Sequence, residues 1–237
     1  MPKVENAIIM AAGLGTRMRP LTNEIPKPLV KVNGKRMIET IIQGLRKNGI
    51  TDISIVTGYL ADKFEFLTNK YSGLKLINNP YYQKYNNLSS LYVARHELKN
   101  TIILDGDQLI NDLDVLNPEF EESGYAGTWV DQWTDEWIMH ADDEGNVISC
   151  DRDGGKNGYR LYSVSKWAVS DSARLARLVT REFEAKNYDI YWDDVAMFKY
   201  PDQFNLTVHK VGPKDITEID SLDELKALDP SYQNIGE

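Results

Sequence analysis

The sequence predicts an α/β protein built on a doubly wound, mostly parallel sheet, with a small β-rich extension in its second half. Three observations favour this fold class. Through residue 110, short apolar runs alternate with segments of helical periodicity, and the connections between them are short. After residue 110 the pattern changes to closely spaced strands separated by turns. No internal repeat or low-complexity linker divides the chain, so residues 1–237 are expected to form one domain.

The first half alternates strands with helices. Residues 7–12 form a continuous apolar run, which is typical of a strand covered on both faces. Residues 37–48 carry apolar side chains at helical spacing and stop at Asn48-Gly49. The same criteria predict strands at 52–57, 74–78 and 101–104, and helices at 62–71 and 88–98.

The second half is richer in strands. Turn sequences at 143–145 and at Gly154-Gly155 separate apolar or aromatic runs. They predict strands at 125–130, 137–141, 147–150, 159–167 and 206–211, with helices at 171–185 and 221–228.

Composition restricts the classes of function. The net charge of −9 and pI of about 5.0 are unfavourable for a nucleic-acid-binding protein, although a local basic cluster can still bind a nucleotide. One cysteine and three histidines argue against a disulfide framework and a structural zinc site, which fits a cytoplasmic protein. No leader peptide is expected, and no apolar run reaches the roughly 20 residues of a membrane span. We expect a monomer or a homodimer.

A glycine-rich loop follows the first predicted strand. Glycines there let backbone N–H groups approach phosphate oxygens, and the Arg17 side chain adds a charged fork. We expect the flanking prolines to hold Lys27 in a rigid, extended segment. A dinucleotide motif is disfavoured because Met18 stands where a third glycine is needed, and the kinase-type P-loop pattern is absent. A tight turn without a ligand is the structural alternative.

The run AAGLGTRMRPLTNEIPKPLVKVNGK (residues 11–35) resembles the motif of nucleotidyltransferases that activate sugar phosphates and related small phosphates. The resemblance implies a Rossmann-like nucleotidyltransferase fold. It also implies that Arg17 and Lys27 are catalytic, and that the triphosphate is bound by Ala11, Ala12, Gly13, Gly15 and Thr16.

Acidic residues follow two predicted strands. Asp105-Gly106-Asp107 comes after the strand at 101–104, at the sheet edge where ligands gather, and Glu218 and Asp220 follow a late strand. A turn or cap role is the alternative for Asp105. Mg²⁺ beside a triphosphate commonly takes one or two carboxylates. The resemblance implies that Asp107 and Asp220 bind this ion, with Glu218 as a further ligand or a neighbouring acceptor.

Aromatic and acidic residues cluster in the second half, notably at 133–137 and 189–194. Aromatic faces recognise a quaternary ammonium group by cation–π contact. Burial in the core is the alternative for any one tryptophan. With residues 85–98 and 216–225, these segments are similar to bacterial CTP:phosphocholine cytidylyltransferases over nearly the whole chain, more loosely between about 110 and 185.

That second resemblance implies transfer of CMP from CTP to phosphocholine, giving CDP-choline and pyrophosphate. Residues 1–110 would then bind the nucleotide and 111–237 the acceptor, a small cationic phosphate ester. The cytosine candidates are Asn86, Asn87 and Ser89, and the acceptor candidates are Trp137, Asp189, Tyr191, Trp192, Asp193 and Asp194.

Other functions stay open. The same chemistry on 2-aminoethylphosphonate or another small aminoalkyl phosphate would depend more on the acidic residues. An enzyme that activates a sugar 1-phosphate would need polar residues in place of the aromatic cluster. A nucleotide sensor without catalytic activity would not need Arg17, Lys27, Asp107 and Asp220 together. Lys166 and Trp133 depart from the family pattern, and a lysine beside a choline pocket would repel the cation.

Overall fold

The computed structural model describes residues 1–235. Its strands are β1 (Asn6–Ala11), β2 (Lys31–Val32), β3 (Lys35–Arg36), β4 (Asp52–Thr57), β5 (Leu74–Asn78), β6 (Thr101–Asp105), β7 (Gln108–Ile110), β8 (Gly124–Val130), β9 (Ile138–Ala141), β10 (Val147–Asp151), β11 (Gly158–Trp167), β12 (Thr207–Lys210) and β13 (Ile216–Glu218). The α-helices are α1 (Met37–Lys47), α2 (Glu65–Lys70), α3 (Leu88–Ala94), α4 (Val169–Glu184) and α5 (Leu222–Leu228).

The predicted fold class is confirmed. Strands β5, β4, β1 and β6 lie side by side and parallel, because helical crossovers connect them. Long strand β11 then pairs antiparallel with β6, and β8 and β12 continue the sheet beyond it. Strands β9 and β10 extend the sheet beside the first half of β11. The acidic residues after β6 therefore emerge next to the loop that follows β1.

The sheet separates two apolar cores. On one face, α1 buries Ile38, Ile41 and Leu45 against β1 and β4. On the other face, α3 and α4 pack on the sheet with the buried side chains of Trp167 and Trp192. Side chains along each strand point alternately to the two faces of the sheet, so the same strands contribute apolar side chains to both cores, as expected for the central strands of a doubly wound sheet.

Several predicted boundaries are wrong by a few residues. The helix expected at 62–71 is a 3₁₀ turn at Ala61–Phe64 followed by α2, and the helix expected at 88–98 ends at Ala94 before a second 3₁₀ turn. Residue 137 precedes β9, and β12 is shorter than the strand expected at 206–211.

Some short elements could not be predicted from the sequence. They are the β2–β3 hairpin, a two-stranded antiparallel ribbon of β7 and β13, and a π-helical segment at Val195–Lys199. Their strands have only two or three residues, which is too few to show a periodicity. Across residues 1–235, no helix combines the length and the apolar character that crossing a bilayer requires.

Candidate active site

The glycine-rich loop turns sharply at the carboxyl end of β1. Gly15 has a φ of 61°, in the left-handed region that favours glycine. A Cβ there would meet both Lys27 Cβ and Thr22 Cγ2 at 3.1 Å. The Thr22 hydroxyl donates a hydrogen bond to the Gly15 carbonyl at 2.7 Å and so stabilises the turn. Around Gly13, by contrast, no described atom lies within 4 Å of a Cβ, so its backbone is open to a ligand.

Lys27 joins the two acidic segments. Its Nζ donates to Asp107 Oδ2 at 2.5 Å and to Asp220 Oδ1 at 2.7 Å, and the residue is only 8% exposed. Burial alone lowers the pKa of Lys27, but the Asp107 and Asp220 carboxylates outweigh it and raise that pKa. The expected extended segment is wrong in detail, because Lys27–Leu29 form one 3₁₀ turn. The ammonium is therefore held charged at a fixed position.

Arg17 reaches the same acidic group from the loop. Its Nη2 lies 3.1 Å from Asp220 Oδ1, and most of its side chain is exposed. Burial raises the pKa of Asp220, but Lys27 and Arg17 outweigh this and lower it. Two cations and two carboxylates thus meet beside the loop, and the exposed Arg17 is free to turn toward a phosphate.

A cleft of about 290 Å³ opens above these groups. Asn87 and Ser90 of the α3 region line it, as does Asp105, the last residue of β6. The predicted site residues that line it are Ala11, Ala12, Gly13, Gly15, Thr16, Arg17, Lys27, Asn87, Asp107 and Asp220. The cleft therefore combines open backbone amides with two cations, a pattern suited to a polyphosphate.

A second cavity of about 210 Å³ adjoins the cleft, and both are lined by Asn87 and Asp105. Trp137 and Tyr191 line it with their rings crossed at 90° and their centroids 5.9 Å apart. Its other lining residues are Glu136, Leu161, Ser163, Asp193 and Glu218. Aromatic faces beside carboxylates are a suitable environment for a small organic cation.

The β7–β13 ribbon carries Glu218 into this second cavity. Gln108 Nε2 donates to Glu218 Oε1 at 2.8 Å, and Arg160 Nη2 donates to Oε2 at 2.5 Å. Arg160 also contacts Glu136 at 3.2 Å. Burial raises the pKa of Glu218 to about 7, although Arg160 acts in the opposite direction.

Two more carboxyl groups line this region: half-buried Asp105 lines both cavities, and buried Asp193 lines the second. Burial, with Asp107 nearby, raises the pKa of Asp105 well above its ordinary value. Burial also raises the pKa of Asp193 to about 7. This concentration of carboxylates favours a ligand that brings positive charge with it.

The three predicted metal ligands are split between two places. Asp107 and Asp220 share Lys27, whereas Glu218 is engaged by Arg160 and Gln108. Within the described part of the chain, no three His, Cys, Asp or Glu side chains form a metal-binding group. Two converging carboxylates still fit Mg²⁺, which takes most of its remaining ligands from phosphates and water.

Two of the cytosine candidates do not line the cleft. Ser89 is buried, donates to the Asn86 carbonyl at 2.8 Å and accepts from Asn79 at 3.0 Å. The Asn86 side chain donates to the Asp189 carbonyl at 3.1 Å. Their role in base binding stays a prediction. Ser90, which the sequence interpretation missed, lines the cleft one helical turn after Asn87, so helical spacing was the available signal.

Only half of the acceptor candidates line the second cavity, namely Trp137, Tyr191 and Asp193. Trp192 is 1% exposed because it packs on Tyr125 and Trp167, and Asp189 is exposed away from the cavity. Asp194 is buried, pairs with Arg152 and accepts the Tyr191 backbone N–H. Trp192 and Asp194 therefore support the cavity wall from behind.

The two departures from the family pattern lie outside both cavities. Trp133 is 68% exposed and lines neither of them. Lys166 faces the α1 side of the sheet, like its neighbour Val164, whereas Leu161 and Ser163 face the acceptor cavity. The predicted repulsion between Lys166 and a cationic acceptor therefore does not arise.

Asp193 gives a testable pH dependence of stability. The pKa of Asp193 in the folded protein is about 7, above the ordinary value of 3.8. The contribution of this group to the free energy of unfolding is therefore complete below about pH 3.8 and is lost as pH rises through about 7. Relative to wild type, Asp193→Asn should gain on the order of 3 kcal/mol in free energy of unfolding over that range. Urea unfolding at several pH values measures this difference. The exposed Asp189→Asn is the control, and a pH-independent difference for Asp193→Asn would contradict the prediction.

Comparison with known proteins supports the same interpretation. Residues 6–127 match the model of the nucleotidyl transferase family. The 2-aminoethylphosphonate cytidylyltransferase of Lancefieldella rimae is 38% identical over 230 residues, covering 96% of this chain and 93% of that protein. The choline-phosphate cytidylyltransferase of Streptococcus pneumoniae is 34% identical, covering 96% and 98%.

A solved structure of the CTP:phosphocholine cytidylyltransferase from Streptococcus pneumoniae has the same fold throughout. It superimposes with a TM-score of 0.87 at 33% sequence identity, covering 98% of this chain and all of that one. The chain therefore belongs to the nucleotidyl transferase family.

Proposed function

We propose that the chain transfers CMP from CTP to phosphocholine, producing CDP-choline and pyrophosphate. The observation that carries this proposal is the cavity of Trp137 and Tyr191, which adjoins the cation-lined cleft and shares Asn87 and Asp105 with it. A phosphocholine whose trimethylammonium group lies against the aromatic rings would direct its phosphate toward the cleft. The relatives named as choline-phosphate cytidylyltransferases support this acceptor.

The chemistry requires little beyond orientation and charge neutralisation. A phosphate oxygen of the acceptor attacks the α-phosphorus of CTP, and the bond from that phosphorus to the bridging oxygen of the β-phosphate breaks. The acceptor phosphate is already an anionic nucleophile, so no general base is needed. Arg17 and Lys27 lie where they can neutralise the triphosphate and the departing pyrophosphate.

We further propose Mg²⁺ as the cofactor, held by Asp107 and Asp220. When bound, this ion would neutralise charge on the phosphates during the transfer. In the ligand-free protein, Lys27 compensates the charge of both carboxylates. Movement of the Lys27 ammonium toward the phosphates would release both carboxylates for the ion. Glu218 is then left to line the acceptor cavity.

A second acceptor, 2-aminoethylphosphonate, is favoured by one specific observation. Asp105, Glu136, Asp193 and Glu218 all line the acceptor cavity, and a primary ammonium can donate hydrogen bonds to carboxylates whereas trimethylammonium cannot. The relative from Lancefieldella rimae carries this substrate in its name.

A pyrophosphate-release assay tests the proposal. CTP, UTP, ATP and GTP are each paired with phosphocholine, 2-aminoethylphosphonate or glucose 1-phosphate in the presence of Mg²⁺. We expect the fastest release with CTP and phosphocholine. Faster release with 2-aminoethylphosphonate would transfer the assignment to the second acceptor. Absence of release with every pair would contradict nucleotidyl transfer.

Replacing Trp137 with alanine should act on the acceptor alone. The change removes one aromatic wall, so KM for phosphocholine should rise roughly tenfold, as a cation–π contact of about 1–2 kcal/mol implies. KM for CTP should change little, because Trp137 does not line the nucleotide cleft. Trp129→Ala is the matched control, since Trp129 is exposed and lines neither cavity. Equal loss for both substrates would show that Trp137 is structural.

A further inference from the structure

A third cavity, of about 170 Å³, has no lining residue in common with the nucleotide cleft or the acceptor cavity. It lies on the α1 side of the sheet, between the 3₁₀ turn at Leu113–Leu116, strand β12 and the loop that leads to β13. Val115, Val164 and Val211 form apolar walls, and Lys166 lines the same space.

Among residues 1–235, no carboxylate forms an ion pair with the Lys166 ammonium. It is 8% exposed, and its backbone is fixed in β11 between Ile102 of β6 and Gly124 of β8. Burial is the one cause that lowers the pKa of Lys166, to about 8, and no carboxylate offsets it among the described residues. A buried cation is normally paired, because an unpaired one costs several kcal/mol.

Asp112, Asp114 and Asp215 line the same cavity, but none of their carboxylates offsets the effect of burial on the pKa of Lys166. Burial lowers the pKa of His209 to about 4, so its ring is neutral, and its Nε2 lies 3.0 Å from the Glu122 carbonyl. Asp112 accepts the Asp114 backbone N–H at 3.0 Å, and Asp215 accepts the Gly212 backbone N–H at 2.6 Å. Asp112 and Asp114 are exposed at the mouth of the cavity, whereas the Lys210 ammonium lies over the Tyr159 ring, 5.6 Å from its centroid.

We propose that this cavity binds a small anion whose phosphate, sulfate or carboxylate group pairs with Lys166 Nζ. The volume of about 170 Å³ is too small for a nucleoside triphosphate. The carboxylates at the mouth repel polyanions and tolerate a monoanion or a zwitterion whose cationic end points outward. The ligand class is therefore a small molecule with one acidic group.

The position of this anion site links it to the active site. The Asp215 carbonyl accepts from the backbone N–H groups of Asn111 at 2.7 Å and Asp112 at 3.2 Å, which closes one end of the β7–β13 ribbon. At the other end of the same ribbon, Gln108 pairs with Glu218. A ligand on Lys166 therefore lies behind the element that carries Glu218, and Asp220 two residues later, into the active site.

The test uses inorganic phosphate as the probe and backbone amide NMR shifts as the readout. Phosphate is titrated at about pH 6.5, where the phosphate monoanion and the lysine ammonium predominate. The full chain carries Lys27→Met, which weakens phosphate binding in the catalytic cleft. Saturable shifts are expected for the amides of residues 209–212 and of Lys214 and Asp215. Adding Lys166→Met should weaken phosphate binding there roughly tenfold or more, as loss of a charged hydrogen bond predicts.

Two further variants keep the result decisive. Lys214→Met removes an exposed lysine of the same loop that does not line the cavity, and it should leave the affinity unchanged. Val211→Phe fills the cavity while retaining Lys166, so it should abolish the shifts even if Lys166→Met does not fold. Unshifted amides at residues 209–212, 214 and 215, or equal affinity in Lys166→Met and its parent, would overturn the proposal.

Discussion

Lys27→Met is expected to lower kcat by about a hundredfold or more while the protein stays folded, because it removes one preorganised charge donor from the cleft. The Lys27 Nζ lies 2.5 Å from Asp107 and 2.7 Å from Asp220, at 8% exposure. From this position the ammonium can move to the phosphates and neutralise the charge that develops on the leaving pyrophosphate. Methionine retains the buried aliphatic stem, so the change isolates the charge. Steady-state kinetics with saturating CTP and acceptor measure the effect.

Lys31→Met is the matched control for this substitution. Lys31 lies four residues away, is exposed, and does not line the cleft. Its replacement should leave kcat within about twofold of wild type, since isolated surface charges contribute little. Near-normal turnover in Lys27→Met would remove Lys27 from the catalytic set. A loss of folding, detected by thermal unfolding, would instead assign its two ion pairs a structural role.

The phosphate loop and the central strands could be predicted from the sequence because their causes are local. A buried strand needs a continuous apolar run, and the turn at Gly15 needs a residue that tolerates positive φ. The whole set at Gly13, Gly15, Arg17 and Lys27 lies within one short segment. Local periodicity and turn chemistry were therefore sufficient for this half of the site.

The acceptor cavity could be predicted only in part, because its walls are assembled by long-range contacts. Nothing in the sequence near Glu218 indicates Gln108, which is 110 residues away and faces it through the β7–β13 ribbon. Arg160 reaches the same carboxylate from β11. Likewise, the run 190–194 alternates between cavity and core. Tyr191 and Asp193 line the cavity, whereas Trp192 is buried behind them.

Asp220→Asn is the second substitution with a large expected effect, and it distinguishes two roles for the same carboxylate. If Asp220 binds Mg²⁺, its replacement should raise the Mg²⁺ concentration for half-maximal rate by about ten- to a hundredfold and lower kcat by about a hundredfold. If Asp220 only positions Lys27, the Mg²⁺ dependence should not change, because Asp107 still contacts the ammonium. Initial rates over a range of Mg²⁺ concentrations separate the two.

The double variant Lys27→Met with Asp220→Asn completes the argument. A residue that acts only through Lys27 has nothing left to position once the ammonium is gone, so the double variant would then be no slower than Lys27→Met alone. A metal ligand makes its own contribution, and the double variant should then lose a further tenfold or more and still need more Mg²⁺. Asp223→Asn is the control, because Asp223 is an exposed acid in the first turn of α5, three residues from Asp220. An unchanged Mg²⁺ requirement in both Asp220 variants would exclude Asp220 as a ligand and leave it as the residue that positions Lys27.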